Sequence, residues 1–226
     1  MHDAFVKQAL KAVVLDLDGL TVDSEPVHVE AWRRAVRSMD RAFDPALIEP
    51  HFGSPVATTA QELAEELDLD ADELLERRTV EFERLTEEGL PHRPGLPEAV
   101  SRLQGAELRT AIVTSGTRAY ARQALEGLRQ DHGLSFEIVV TRDDVERPKP
   151  DPEPYRTAAE RLGLEPTQCA AFEDASAGVR SAKAAGMLVV AVPNEYTEKL
   201  DFTEADTVQP DLVSAVDWLL RDQETG

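Results

Sequence analysis

Short apolar and β-branched runs recur along the chain, and the polar residues within them stand mostly at their ends. They lie at 12–18, 109–115, 136–140, 168–174 and 188–192. A strand that is buried on both faces reads as a continuous apolar run, so these segments predict the strands of a parallel sheet. From position 109 onward the runs are separated by segments with helical spacing of apolar residues, such as Tyr155, Ala158, Ala159 and Leu162. This alternation predicts an α/β fold with a doubly wound parallel sheet.

The segment 23–94 interrupts the alternation. Its apolar residues, Trp32 and Val36 among them, recur at helical spacing, and it contains no run typical of a strand. Prolines and glycines divide it into several helices and precede the return of the chain to the sheet. We therefore predict an α/β core domain formed by residues 1–22 and 95–226, with residues 23–94 inserted as an α-helical cap domain.

The charge of the chain argues against several classes of partner. The 226 residues include 44 Asp and Glu and 24 Lys and Arg, which gives a formal net charge of -20 at pH 7. Such a protein repels nucleic-acid backbones and anionic lipid surfaces, and no apolar stretch approaches the roughly 18 residues of a membrane span. The first residues lack the layout of a signal peptide. We expect a cytoplasmic protein that binds neither nucleic acid nor membranes; its oligomeric state is open, with a monomer favoured.

Carboxylates stand where two of the predicted strands end. Asp16 and Asp18 end the first run, and Glu173 and Asp174 end the fourth. Ligands of doubly wound sheets bind beyond the carboxyl ends of the strands, so these four side chains are expected to converge. Buried carboxylates are costly without a compensating cation, and ligation by oxygen atoms suits a hard ion. The pattern therefore predicts a Mg²⁺ site.

Two further segments supply groups that suit an anion. Thr114, Ser115 and Gly116 end the second run and open a helix, where hydroxyl and backbone N–H groups can hold a phosphate. Taken alone, this segment is better explained as an ordinary helix cap. Lys149 lies between two prolines, in a stiff loop that can direct its ammonium group into the site. A cation, a carboxylate cluster and an anion cradle together indicate phosphoryl chemistry.

The order and spacing of these residues resemble a known family. The string DLDGLTVDSE from Asp16 to Glu25, with Thr114-Ser115-Gly116, Lys149-Pro150 and Glu173-Asp174, is similar to the four motifs of the haloacid dehalogenase superfamily. The chain looks most like the β-phosphoglucomutase and phosphoglycolate phosphatase branch, which carries a helical cap after the first strand. The resemblance covers essentially the whole chain and implies a Rossmann-like core with an inserted cap.

The resemblance also implies a role for each core residue. Asp16 would be the nucleophile that forms an aspartyl-phosphate, and Asp18 would be the general acid and base. Mg²⁺ would be held by the Asp16 carboxylate, the Asp18 backbone carbonyl and Asp174, with Glu173 binding directly or through water. The phosphate would be bound by Thr114, Ser115, Gly116 and Lys149.

The cap separates two reactions of this branch. A mutase that holds a bisphosphate needs a cationic group in the cap, yet residues 44–76 include ten Asp or Glu and no Lys or Arg, which leaves His51. His28 matches a hinge histidine found in mutases and in phosphatases of the branch. We therefore expect a Mg²⁺-dependent phosphatase of a sugar phosphate or phosphoglycolate-like metabolite; a β-phosphoglucomutase-like mutase and a non-enzymatic binder are the alternatives. The cap residues expected to contact the substrate are Glu25, His28, Arg33 and His51.

Overall fold

The chain forms two compact units. The computed structural model describes residues 10–52, 54–87 and 89–224, with side chains up to residue 221. The core unit contains the described residues up to Val22 and from His92 onward, and the cap unit is Asp23–Pro91. The chain thus re-enters the core unit at His92 rather than at residue 95, because His92 forms a β-bridge with Val22.

The core unit is built on one parallel sheet. Its strands are β1 (Ala12–Asp16), β2 (Arg109–Val113), β3 (Ile138–Val140), β4 (Cys169–Glu173), β5 (Leu188–Ala191) and β6 (Thr207–Val208). They lie in the order β3-β2-β1-β4-β5-β6, and every neighbouring pair is parallel. From β1 the chain adds β2 and β3 on one side and then β4, β5 and β6 on the other. The predicted doubly wound sheet is therefore confirmed.

All five predicted strands are present with bounds that differ from the prediction by one or two residues, and a sixth strand was not predicted. β1 ends at Asp16 rather than at Asp18, because the next residues form a turn in which the Gly19 N–H donates to the Val22 carbonyl at 2.9 Å. β6 is absent from the prediction because its two residues form no apolar run. It lies at the edge of the sheet, where Val208 is 52% exposed.

Helices make up most of the remaining regular structure. The α-helices are α1 (Glu25–Ser38), α2 (Val56–Leu67) and α3 (Ala71–Thr86) in the cap unit, and α4 (Leu96–Gly105), α5 (Arg118–His132), α6 (Glu153–Leu162), α7 (Ser176–Ala185) and α8 (Leu212–Glu224) in the core unit. Short 3-10 helices lie at Pro45–Leu47, Glu49–His51, Arg142–Asp144 and Pro166–Gln168. No helix among the described residues is long and apolar enough to cross a membrane.

Helices cover both faces of the sheet, which explains why its central strands are apolar throughout. Every residue of β1 and β4 is buried. On one face, Tyr155 of α6 and Val179 of α7 pack in a single cluster with Ala12 and Val14 of β1. α4 packs against β2 and α8. This burial leaves the carboxyl ends of the strands as the place where a ligand can meet polar side chains.

The cap unit has an apolar core of its own. Trp32 of α1, Leu63 of α2 and Leu74 of α3 are buried in one cluster. All regular structure among the described residues between Asp23 and Pro91 is helical, as the spacing of apolar residues predicts. Asp70 begins α3 as its N-cap: its carboxylate accepts the backbone N–H of Glu73 at 2.8 Å.

Candidate active site

The register of the sheet brings the core site residues to one edge. Asp16, the last residue of β1, pairs with Val113, the last residue of β2. Thr114 therefore follows directly beside Asp16. On the other side of β1, the pairing of Leu15 with Phe172 places Glu173 at the same level. Polar groups from three adjacent strands thus meet at their carboxyl ends.

Lys149 lies among the buried carboxylates. Its Nζ donates to Asp16 Oδ1 at 2.5 Å and to Glu173 Oε1 at 2.6 Å, and its side chain is only 7% exposed. Burial by itself would lower the pKa of Lys149, but Asp16 and Glu173 outweigh burial and hold that pKa above its usual value. The ammonium is therefore a permanent charge inside the site.

The pKa of Asp16 is raised well above its usual value. Burial is the largest cause; the neighbouring carboxylates Glu173 and Asp18 raise this pKa further, and Lys149 opposes them. Thr21 also fixes the end of β1, since its hydroxyl donates to the Asp16 carbonyl at 2.5 Å. The Asp16 carboxylate is thus fixed in position, beside more carboxylates than cationic groups.

Three carboxylates gather closely enough to share a cation. Asp16, Glu173 and Asp174 are all buried, and one oxygen atom from each lies within 4.8 Å of the others. Asn194 fixes Asp174, because its Nδ2 donates to Asp174 Oδ2 at 2.8 Å. A Cβ at Gly19, which has φ +72°, would lie 2.2 Å from that same oxygen. Only glycine therefore allows this approach, and the all-oxygen donor set fits a hard divalent cation.

Two hydroxyl groups bind the carboxylate of Asp18. Thr114 Oγ1 donates to Asp18 Oδ2 at 3.1 Å, and the Tyr120 hydroxyl donates to Asp18 Oδ1 at 2.5 Å. Asp18 is half-buried, whereas Asp16 is buried. The Asp16 carboxylate thus binds the Lys149 ammonium, and the Asp18 carboxylate binds two hydroxyl groups.

The segment Thr114-Ser115-Gly116 lies at the site but does not itself begin a helix. The backbone N–H of Gly116 donates to Thr114 Oγ1 at 2.8 Å, and Ser115 is exposed. α5 begins at Arg118, and its N-cap is Thr117. The expectation that the segment opens the helix directly is therefore wrong, because Thr117 takes the capping position.

Tyrosines and glycines supply parts of the site that the sequence prediction missed. The hydroxyl of Tyr155 donates to Glu173 Oε1, and Lys149 Nζ lies 5.2 Å from the centre of the Tyr155 ring. A Cβ at Gly178 would lie 1.9 Å from Glu173 Oε1, so glycine is required there too. One signal for Tyr155 is present in the sequence: it lies on a helical face of small apolar residues. A tyrosine hydroxyl buried on such a face needs a hydrogen-bond partner.

Two of the predicted cap residues, Arg33 and His51, have partners within the cap unit. The Arg33 guanidinium binds both carboxylate oxygens of Glu30, and His51 Nδ1 lies 2.9 Å from Glu62 Oε2. Glu25 is the first residue of α1.

His28 belongs to a separate group of the cap unit. It contacts the Arg78 guanidinium and stacks on Phe82, with ring centroids 4.4 Å apart. Arg78 is 4% exposed and lies over the rings of Phe82 and Trp32, at 4.5 and 5.5 Å. The cap unit therefore does bury a cation, two residues beyond the segment 44–76 on which the charge argument rested.

A family model for haloacid dehalogenase-like hydrolases matches residues 10–186 of the chain. The match spans β1 to β4 and every residue of the core site described above except Asn194. The chain therefore belongs to the haloacid dehalogenase-like hydrolase family, as its motifs predict.

Individual relatives are similar along most of the chain. Hexitol phosphatase A of Escherichia coli (strain K12) is 37% identical over 201 residues, which are 88% of this chain and 89% of the relative. β-Phosphoglucomutase of Bacillus subtilis (strain 168) is 28% identical over 193 residues, 81% of this chain and 83% of the relative. The crystal structure of CbbY from Rhodobacter sphaeroides in complex with phosphate has the same fold, with a TM-score of 0.72 and 24% identity; the match covers 90% of this chain and 95% of that one.

Proposed function

We propose that the protein is a phosphatase that hydrolyses a small phosphorylated metabolite, a sugar phosphate or a phosphoglycolate-like compound, with Mg²⁺. The observation that carries the proposal is the buried group of Asp16, Lys149, Glu173 and Asp174, with Asp18 beside it. A nucleophile, an acid and base, and fixed positive charge are the groups that phosphoryl transfer needs. The name of hexitol phosphatase A supports a phosphorylated polyol or sugar as the substrate.

The buried carboxylates fit the proposed metal. Asp16, Glu173 and Asp174 lie together, and Lys149 supplies one positive charge against three negative ones. A further cation balances the cluster, and oxygen ligands favour Mg²⁺. When bound, Mg²⁺ would supply the positive charge that allows an anionic phosphate to approach a carboxylate. Its proposed ligands are Asp16, Asp174 and the backbone carbonyl of Asp18, with Glu173 binding directly or through water.

In the first proposed step, Asp16 attacks the phosphate ester. A bond forms between a carboxylate oxygen of Asp16 and phosphorus while the bond from phosphorus to the alcohol oxygen breaks. Asp18 gives its proton to that alcohol oxygen. Lys149, 2.5 Å from Asp16 Oδ1, offsets the repulsion between the carboxylate and the phosphate. The alcohol leaves and the aspartyl-phosphate remains.

In the second step, water hydrolyses the aspartyl-phosphate. The water oxygen forms a bond to phosphorus, the bond from phosphorus to Asp16 breaks, and Asp18 takes the proton of the water. Asp18 suits both steps because it is half-buried and two hydroxyl groups bind its carboxylate. In this proposal the phosphate oxygens are bound by Thr114, Ser115, Gly116 and Lys149.

The cap unit is proposed to select the organic part of the substrate. Arg33 and His51 are each paired with a carboxylate of the cap, so a substrate anion would have to displace that carboxylate. His28 is held against the cationic Arg78 instead. We therefore rank His28 first among the proposed cap contacts, which are Glu25, His28, Arg33 and His51.

A sugar-phosphate mutase is the second candidate. Arg78 favours it, because a bisphosphate needs a cation in the cap as well as Lys149 in the core, and Arg78 is a buried cation of the cap unit. The 28% identity to a β-phosphoglucomutase points the same way. The phosphatase is ranked first because the chain is more similar to hexitol phosphatase A, at 37% identity, than to that mutase.

Phosphate release distinguishes these functions. The protein is incubated with Mg²⁺ and a panel of sugar phosphates, hexitol phosphates, phosphoglycolate and nucleotides, and inorganic phosphate is measured. We expect release from a small ester and a loss of at least about 1000-fold in Asp16→Asn. Conversion of β-glucose 1-phosphate to glucose 6-phosphate without phosphate release would identify a mutase. Binding of the esters without any turnover would identify a non-enzymatic binder.

Calorimetric titration with Mg²⁺ in the absence of substrate tests the metal site separately. Asp174→Asn is expected to weaken Mg²⁺ binding by at least about tenfold, because it removes a charged ligand. Asp131→Asn, which changes an exposed aspartate of α5, is the matched control and should bind Mg²⁺ as the wild type does. Equal affinity in the two variants would exclude Asp174 as a ligand.

A further inference from the structure

We infer that Tyr120 is a positioning residue for Asp18 and that its hydroxyl assists protonation of the leaving alcohol. The inference rests on the proposed function, because it takes Asp18 to be the acid and base. The geometry that carries it is the pair of hydroxyl donors on Asp18: Tyr120 binds Oδ1 at 2.5 Å and Thr114 Oγ1 binds Oδ2 at 3.1 Å. In the sequence, Tyr120 lies at helical spacing with apolar residues, a pattern that by itself indicates packing.

The position of the Tyr120 ring is determined by its neighbours. Tyr120 lies in the first turn of α5, where its backbone N–H donates to the Thr117 side chain at 3.3 Å. A Cβ at Gly116 would lie 2.6 Å from Tyr120 Cδ1, so the ring packs directly over the glycine backbone. The absent side chain at Gly116 therefore makes room for the ring whose hydroxyl reaches Asp18.

Two donors on the two oxygens restrict both side-chain torsions of Asp18. Correct orientation of a catalytic group can change a rate by about 100-fold, since proton transfer depends strongly on geometry. As Asp18 gives up its proton, the O–H electron pair stays on its carboxylate. Hydroxyl donors bind a carboxylate more strongly than a neutral acid, so Tyr120 and Thr114 stabilise the charge that develops.

Comparison of two leaving groups tests the inference. An alkyl phosphate needs a proton on its leaving oxygen, whereas p-nitrophenyl phosphate releases a stable phenolate without one. In Tyr120→Phe, kcat/KM for a substrate sugar phosphate is expected to fall about 10- to 100-fold, and kcat/KM for the aryl ester by less than about threefold. The variant keeps the ring and so preserves the contact with Gly116.

Tyr155→Phe is the matched control, since it removes the same hydroxyl from the other carboxylate–tyrosine pair. Tyr155 binds Glu173, on the side of Lys149, so its loss should affect both esters by a similar factor. Equal losses for the two esters in Tyr120→Phe, or no loss for the alkyl ester, would overturn the inference.

Asp18→Asn separates this inference from the proposed function. It should show the same preference for the aryl ester in stronger form, and adding Tyr120→Phe to it should cause no further loss with the alkyl ester. A further loss in the double variant contradicts the inference, whether or not the aryl ester is a substrate. If Asp18→Asn hydrolyses the alkyl ester at the wild-type rate, the acid and base assignment itself fails.

Discussion

Two carboxylate–tyrosine pairs lie on either side of the β1 end and differ in burial. The β4 side consists of Lys149, Tyr155, Glu173 and Asp174; the β2 side consists of Asp18, Thr114 and Tyr120. Glu173 is 1% exposed and Tyr155 is fully buried, whereas Asp18 and Tyr120 are half-buried.

The same hydrogen bond therefore has different consequences on the two sides. On the β4 side, burial is the main cause of a Tyr155 pKa well above the usual value, and Glu173 adds to it, so that hydroxyl keeps its proton. This side holds permanent charge in a fixed arrangement. On the β2 side two hydroxyl groups bind a half-buried carboxylate, which suits the proton exchange proposed for Asp18. Since both sides pair a carboxylate with a tyrosine, the difference in burial is what distinguishes the fixed charge of one side from the proton exchange proposed for the other.

The largest expected effect on stability comes from removing the buried ammonium group of Lys149. Lys149→Met should lower the free energy of unfolding by about 3–5 kcal/mol in the presence of a chelator, because it leaves Asp16 and Glu173 buried without their partner. Urea unfolding measures this change, and added Mg²⁺ should restore part of it. Lys183→Met is the control, since Lys183 pairs with Asp206 at the surface and about a third of each side chain is exposed. Its cost should be about 1 kcal/mol or less. Similar losses of stability in Lys149→Met and Lys183→Met would contradict the view that the β4 side holds a buried charge of structural importance.

A smaller effect is expected from a methyl group on the β4 side. In Gly178→Ala the new Cβ would lie 1.9 Å from Glu173 Oε1, so the buried carboxylate must move. We expect unfolding in urea to show a loss of about 1–3 kcal/mol. Gly127→Ala in α5 meets no atom within 4 Å and should instead stabilise the protein by about 0.4–1 kcal/mol. A Gly178→Ala protein as stable as Gly127→Ala would show that Glu173 is not rigidly held.

The smallest effect on stability is expected from the corresponding change on the β2 side. Gly116→Ala places a Cβ 2.6 Å from Tyr120 Cδ1, but that half-buried ring can swing toward solvent. Stability should change by less than about 1 kcal/mol. The preference for the aryl ester should rise as it does in Tyr120→Phe. A stability loss as large as that of Gly178→Ala would mean that the two sides are equally rigid.

The central strands and the family could be predicted from the sequence because burial on both faces leaves unbroken apolar runs that end in carboxylates. The supporting residues could not. Tyr155 and Tyr120 read as packing residues, since a hydroxyl shows its role only when its partner, distant in sequence, is in place. Gly178 looks like any helical glycine until Glu173 lies against it. Arg78 was missed because two aromatic rings cover a charge that normally marks an exposed face.

Lys149 also affects how the site forms before the proposed metal binds. Because its ammonium already binds Asp16 and Glu173, the pocket is assembled during folding by a cation that the chain itself carries. Many metal centres acquire their shape only when the ion binds. For the proposed Mg²⁺ site, we therefore expect a newly made chain to fold before the ion binds and to take up the ion without a refolding delay.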